Sequence, residues 1–99
     1  MVKLRKSGTY NRDWEDLLVE SPDLEKEIEK NVSRFKHNPN DTRLDNHSLT
    51  KRMKGKWAFS IMDNIRIVYL WLGRATVSFL EIGPHEEVYV KTKKQSPKR

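Results

Sequence analysis

The 99 residues bound the chain to one domain whose core can close without staples, and the lack of cysteine excludes disulfides, thiolate chemistry and cysteine zinc sites. An apolar fraction of 35% against 34% charged residues implies a small core under a very polar surface, and a net charge of +6 favours a polyanionic partner, nucleic acid or an acidic protein. Residues 1–10 lack an apolar signal region and no run approaches membrane-spanning length, so the expectation is a cytoplasmic protein with no membrane partner.

Val2 and Leu4 alternate with Lys3 and Arg5, which predicts a short first strand with one wet face. From Thr9 onward, Tyr10, Trp14, Leu17 and Leu18 recur at helical spacing until Ser21-Pro22, predicting a first helix. Ser21 is the expected cap of a second helix, with Pro22 at its first position and Asp23 in its first turn. Leu24, Ile28, Val32 and Phe35 form its apolar stripe, and Glu27 with Lys30 can pair on its wet face. His37-Asn38-Pro39 ends it, with His37 as the expected C-terminal cap. Residues 40–56, NDTRLDNHSLTKRMKGK, have weak periodicity, several turn formers and a dense basic cluster, and read mainly as a loop.

Three runs rich in β-branched and aromatic residues follow: Trp57 to Met62, Ile65 to Leu72 and Ala75 to Ile82, separated by Asp63-Asn64 and Gly73-Arg74. The whole is therefore α+β: an N-terminal strand, a two-helix hairpin, then a three-stranded antiparallel meander. One domain is expected over residues 1–90, with a basic, flexible tail at 91–99. The middle strand is apolar on both faces except at Arg66, whose guanidinium needs an anion, with Asp63 and Glu81 as carboxylate candidates. Arg66 shares a face with Val68, Leu70 and Leu72, while Ile65, Ile67, Tyr69 and Trp71 point the other way. A helix pair covers only one of those faces.

His47 in the basic loop, Arg66, and His85 with Tyr89 beyond the last strand all lie where one rim of a sheet could gather them. Each alone has a structural reading: a surface histidine, a salt-bridge partner, a tyrosine closing the core. Together they suit cleavage of RNA, in which a ribose 2′-hydroxyl attacks the neighbouring phosphorus and the 5′-oxygen leaves. Histidines serve as base and acid, and Arg66 holds the phosphate as charge builds on it. Tyr89 would stack on or orient a base, while Lys51, Arg52, Lys54 and Lys56 track the backbone. That chemistry needs no metal or other cofactor, and the sequence has no recognisable metal-ligand spacing.

The strand, two helices and meander, with NHSLTKRMKGKW, then NIRIVY, then LEIGPHEEVY, resemble the RelE/ParE superfamily of bacterial toxins from type II toxin-antitoxin pairs, in particular its YoeB and YafQ branch. The resemblance implies a ribosome-dependent, metal-independent mRNA endonuclease that cuts in the ribosomal A site and is inhibited by a cognate antitoxin with an extended acidic segment. It places His47 at the general-base position, Arg66 on the phosphate-binding arginine and His85 at the general-acid position. Tyr89 matches an aromatic in the YafQ-like pattern; in the YoeB-like pattern a tyrosine directly follows the histidine, and here Glu86 stands there. Phe59 and Ser60 stand where some relatives carry histidine or basic residues. The alternatives are a ParE-like gyrase-inhibiting toxin, against which the histidines argue, and a non-catalytic basic module that binds RNA or protein.

Overall fold

The computed structural model describes residues 1–49, 55–62 and 65–84. Strand β1 (Lys3–Lys6) leads into helix α1 (Gly8–Glu20), which starts at Ser7: the Ser7 Oγ accepts the Tyr10 N–H at 3.0 Å and donates to the Leu80 carbonyl at 3.0 Å. One hydroxyl thus satisfies an orphan helix donor and ties the helix start to the sheet. Tyr10, Trp14, Leu17 and Leu18 face the core, as their spacing requires. Burial of Tyr10 raises its hydroxyl pKa above the usual tyrosine range.

Helix α2 (Leu24–His37) departs from expectation at its start. Ser21 closes α1, its N–H bonding Leu17 at 2.9 Å, and Asp23 rather than Ser21 flanks the first residue of α2. Pro22 lies in the intervening turn, where the Leu24 N–H reaches the Ser21 carbonyl at 3.0 Å. The stripe contains a polar member, Asn31, 2% exposed, whose amide donates to the Glu27 carbonyl at 2.9 Å and accepts from Arg34 Nη1 at 3.0 Å. Lys30 and Glu27 pair at 3.8 Å on the wet face. Asn38 caps the end through its N–H to Arg34, and His37 Nδ1–H donates to the Ser33 carbonyl at 2.9 Å.

A 3-10 turn (Thr42–Leu44) plugs the buried Leu44 into the core and leads to β2 (His47–Ser48), a short strand inside the segment expected to be loop. Strands β3 (Trp57–Met62), β4 (Ile65–Trp71) and β5 (Thr76–Pro84) form the expected meander, β5 running two residues further than its apolar pattern suggested. The sheet order is β1-β5-β4-β3-β2, with β1 parallel to β5 and the other pairs antiparallel.

The helices cover the face bearing Ile65, Ile67, Tyr69 and Phe79, and Phe35 of α2 sits at its centre, stacked on Phe59 at 4.5 Å and edge-on to Tyr69 at 4.9 Å. On the opposite face Ala58 and Val68 are buried under Leu49 and Leu80, so the end of the basic loop helps shield it. No helix among the described residues is long and apolar enough to cross a membrane. The Asp63-Asn64 turn and residues 85–99, including the expected tail at 91–99, lie outside the described residues.

Candidate active site

The face opposite the helices carries the candidate chemistry, and sheet register puts it there. His47 on β2 lies opposite Ala58 on β3, which lies opposite Val68 on β4; one step along, Ser60 lies opposite Arg66, which lies opposite Gly83. Cross-strand partners share a face, and so do residues two apart. His47, Ser60 and Arg66 therefore lie on one face, beside the edge formed by β2, and Gly83 sets no side chain against Arg66.

Arg66 is largely buried, its side chain 16% exposed, and Nη1 donates to Ser60 Oγ at 2.7 Å. Its carboxylate neighbour is Asp45, Oδ2 lying 3.6 Å from Nη1. The sequence pointed to Asp63 or Glu81: Asp63 is outside the described residues, and Glu81 sits on the same face at the register position of Val68, beside a bulge. Ser60, on the neighbouring strand, thus fixes the arginine.

His47 Nδ1 is 2.8 Å from the carbonyl oxygen of Asp45. A carbonyl only accepts, so the ring carries its proton on Nδ1, and the neutral imidazole keeps its lone pair on Nε2. Asp45 thus touches both candidate groups, His47 through its backbone and Arg66 through its side chain. Asp45 adopts the left-handed backbone, φ 51°, a conformation that costs most L residues about 1–2 kcal/mol and that Asp tolerates better. The next residue holds this turn: Asn46 Oδ1 accepts from the Tyr69 hydroxyl at 2.8 Å, and its Nδ2 donates to the Pro39 carbonyl at 2.9 Å. Burial pushes the Tyr69 hydroxyl up to about 12, against the opposing pull of its hydrogen bonds with Asn46 and Trp71. Just upstream, hydrogen bonds from the Arg43 side chain and backbone hold the Asp41 carboxyl down at about 2.

Of the expected site residues the structure brings together His47 and Arg66. Lys56 is half-buried ahead of β3, its carbonyl accepting from the Leu49 N–H at 2.8 Å. Lys51, Arg52, Lys54, His85 and Tyr89 lie outside the described residues. Asp45, Asn46 and Ser60 are additions that the sequence reading missed; Asp-Asn ahead of His47 was visible only as a turn signal. Among the described residues, no group of three or more His, Asp or Glu side chains is placed to hold a metal ion.

Solved structures match this fold over nearly their whole length. A copper-bound mutant toxin from Helicobacter pylori is 25% identical, with 89% of this chain and 99% of that chain covered and a TM-score of 0.71. YafQ from Escherichia coli is 15% identical, with 90% and 99% covered and a TM-score of 0.74. The fold is that of the RelE/ParE toxins. A YoeB/ParE toxin from Agrobacterium tumefaciens shares the RelE/ParE fold with 20% identity, 85% of this chain and 99% of that chain covered, and a TM-score of 0.71. YafQ within the Escherichia coli DinJ–YafQ complex gives 16% identity, 90% and 99% coverage and a TM-score of 0.70. No family model matches the chain, and no curated protein matches it in sequence.

Proposed function

We propose that this chain is the toxin of a type II toxin-antitoxin pair and acts as a ribosome-dependent, metal-independent mRNA endonuclease. The observation that carries this reading is the double role of Asp45, which fixes His47 with Nε2 available as a base and sets its carboxylate beside Arg66 on the same sheet face. The fold shared with YafQ, a protein also found in complex with DinJ, supports an antitoxin partner.

In the reaction His47 Nε2 takes the proton of the ribose 2′-hydroxyl as that oxygen attacks the adjacent phosphorus. Arg66 stabilises the negative charge that gathers on the phosphoryl oxygens. His85 donates a proton to the departing 5′-oxygen, leaving a cyclic phosphate on one fragment and a hydroxyl on the other. Tyr89 orients a base, and Lys51, Arg52, Lys54 and Lys56 follow the backbone charge.

Primer extension on an mRNA in a purified bacterial translation system tests this. Wild type should cut at defined codon positions only when ribosomes are present, and His47→Ala should slow cutting by about 10²–10⁴-fold with its circular dichroism spectrum unchanged. Cutting by His47→Ala at the wild-type rate would remove the base assignment. No cutting by folded wild-type protein would turn attention to gyrase, with DNA supercoiling as the next assay.

A further inference from the structure

The segment leading to His47 supplies the aspartate of two arginine–aspartate pairs of very different construction. Arg43 grips Asp41 with two prongs, Nε to Oδ1 at 3.0 Å and Nη2 to Oδ2 at 2.7 Å. Arg66 and Asp45 approach at a single 3.6 Å contact, too long for a hydrogen bond, between a side chain 16% exposed and one 73% exposed. One Nη1–H of Arg66 goes to Ser60, and Nε is buried without a hydrogen-bond partner among the described residues. A guanidinium has five N–H donors in a planar fork suited to an oxyanion. Asp45 supplies charge to that fork and takes no hydrogen bond from it.

We propose that Asp45 is a displaceable counter-ion: its carboxylate neutralises Arg66 in the resting protein and yields its place to a phosphodiester oxygen of RNA. The proposal rests on the RNA-cleaving reading and adds an autoinhibitory contact to it. An exposed carboxylate regains its hydration on swinging out, whereas a mostly buried guanidinium needs an anion at all times. The swing requires only side-chain rotation. The Asp45 backbone stays in its left-handed turn, secured by Asn46, and its carbonyl goes on accepting from His47 Nδ1–H. One residue thus orients the base with its main chain and guards the phosphate site with its side chain.

Asp45→Asn removes the charge while keeping a residue that tolerates the left-handed turn, and Asp45→Gly does so with the residue that suits it best. The probe is a short RNA in which every ribose is 2′-O-methylated and so cannot be cleaved, its affinity read by fluorescence anisotropy at fixed low salt. Both variants should bind about threefold tighter than wild type, the scale of one exposed ion pair. In an Arg66→Gln background the same substitutions should give no gain. Unchanged or weaker binding by both variants overturns the proposal. So does an equal gain without Arg66, which would reduce the effect to a general loss of negative charge. Because the probe is inert, the two readings fail separately: tighter binding without ribosome-dependent cutting removes the endonuclease and keeps the Asp45 contact, and His47-dependent cutting without tighter binding does the reverse.

Discussion

Asn46 shows how much of the candidate site depends on a residue with no chemistry of its own. Its amide is used at both ends, accepting from a buried hydroxyl and donating to a carbonyl, so its orientation is fixed by the partners. Asn46→Ala strands the Tyr69 hydroxyl and the Pro39 carbonyl together, and urea denaturation should register a loss of about 1–3 kcal/mol. Asn46→Asp keeps the acceptor for Tyr69 and loses the donor to Pro39, so its loss should be smaller at neutral pH. Burial of the same hydroxyl gives an alkaline signature. Tyr69 titrates at about 12 in the native protein and near 10 in an unfolded chain. Below pH 10 both states hold the proton and the contribution is complete. As pH climbs from 10 to 12 the unfolded chain releases its proton first, and stability falls. Denaturation midpoints across that window should drop in wild type and drop less steeply in Tyr69→Phe, where Tyr10, shifted in the same direction, leaves a residual slope.

At the level of elements, the strongly periodic segments were legible and the ones made by pairing were not. The stripes Tyr10-Trp14-Leu17-Leu18 and Leu24-Ile28-Phe35 and the three β-branched runs identify both helices and the meander, because burial on one face imposes a period that needs no partner to be seen. Strand β2 has two residues, too few for any period, and exists because His47 and Ser48 pair with β3. That pairing decides which face His47 shares and brings Asp45 to Arg66, a contact between residues 21 apart that could not be read from the chain. The cap of α1, one residue before its first turn and two before the expected start at Thr9, was not legible for a related reason: Ser7 is a good cap by type, but its second bond, to Leu80, is tertiary. Ser7→Ala removes both bonds at once and should cost about 1–2 kcal/mol, seen as a lower thermal midpoint with α-helical content retained below it.

Across the whole molecule the candidate site is divided between a rigid half and a half that can open. Arg66 stands on β4, the middle strand, bonded to β3 and β5 and backed by the aromatic cluster around Phe35. His47 stands on β2, an edge strand paired on one side and tied to the body through Asn46. Amides of β4 should exchange with solvent only through global unfolding, whereas those of Asp45 and Leu49 should also exchange through local opening of the edge. Phe35→Ala separates these routes. Emptying the centre of the cluster should lower global stability by about 3–5 kcal/mol, a large share of the ~5–15 kcal/mol typical of a domain. The β4 amides should then exchange about two to four orders of magnitude faster. The ring contacts of Phe35 are with Phe59, Tyr69, Trp71 and Phe79, none of them on β2, so the amides of Asp45 and Leu49 should keep their wild-type rates wherever local opening dominates. If they accelerate in step with β4, β2 opens only with the whole sheet, and both groups of the site share one rigid body. If they do not, His47 can adjust to a bound RNA while Arg66 stays fixed, a division suited to a site in which the base must meet a ribose and the arginine must hold a phosphate still.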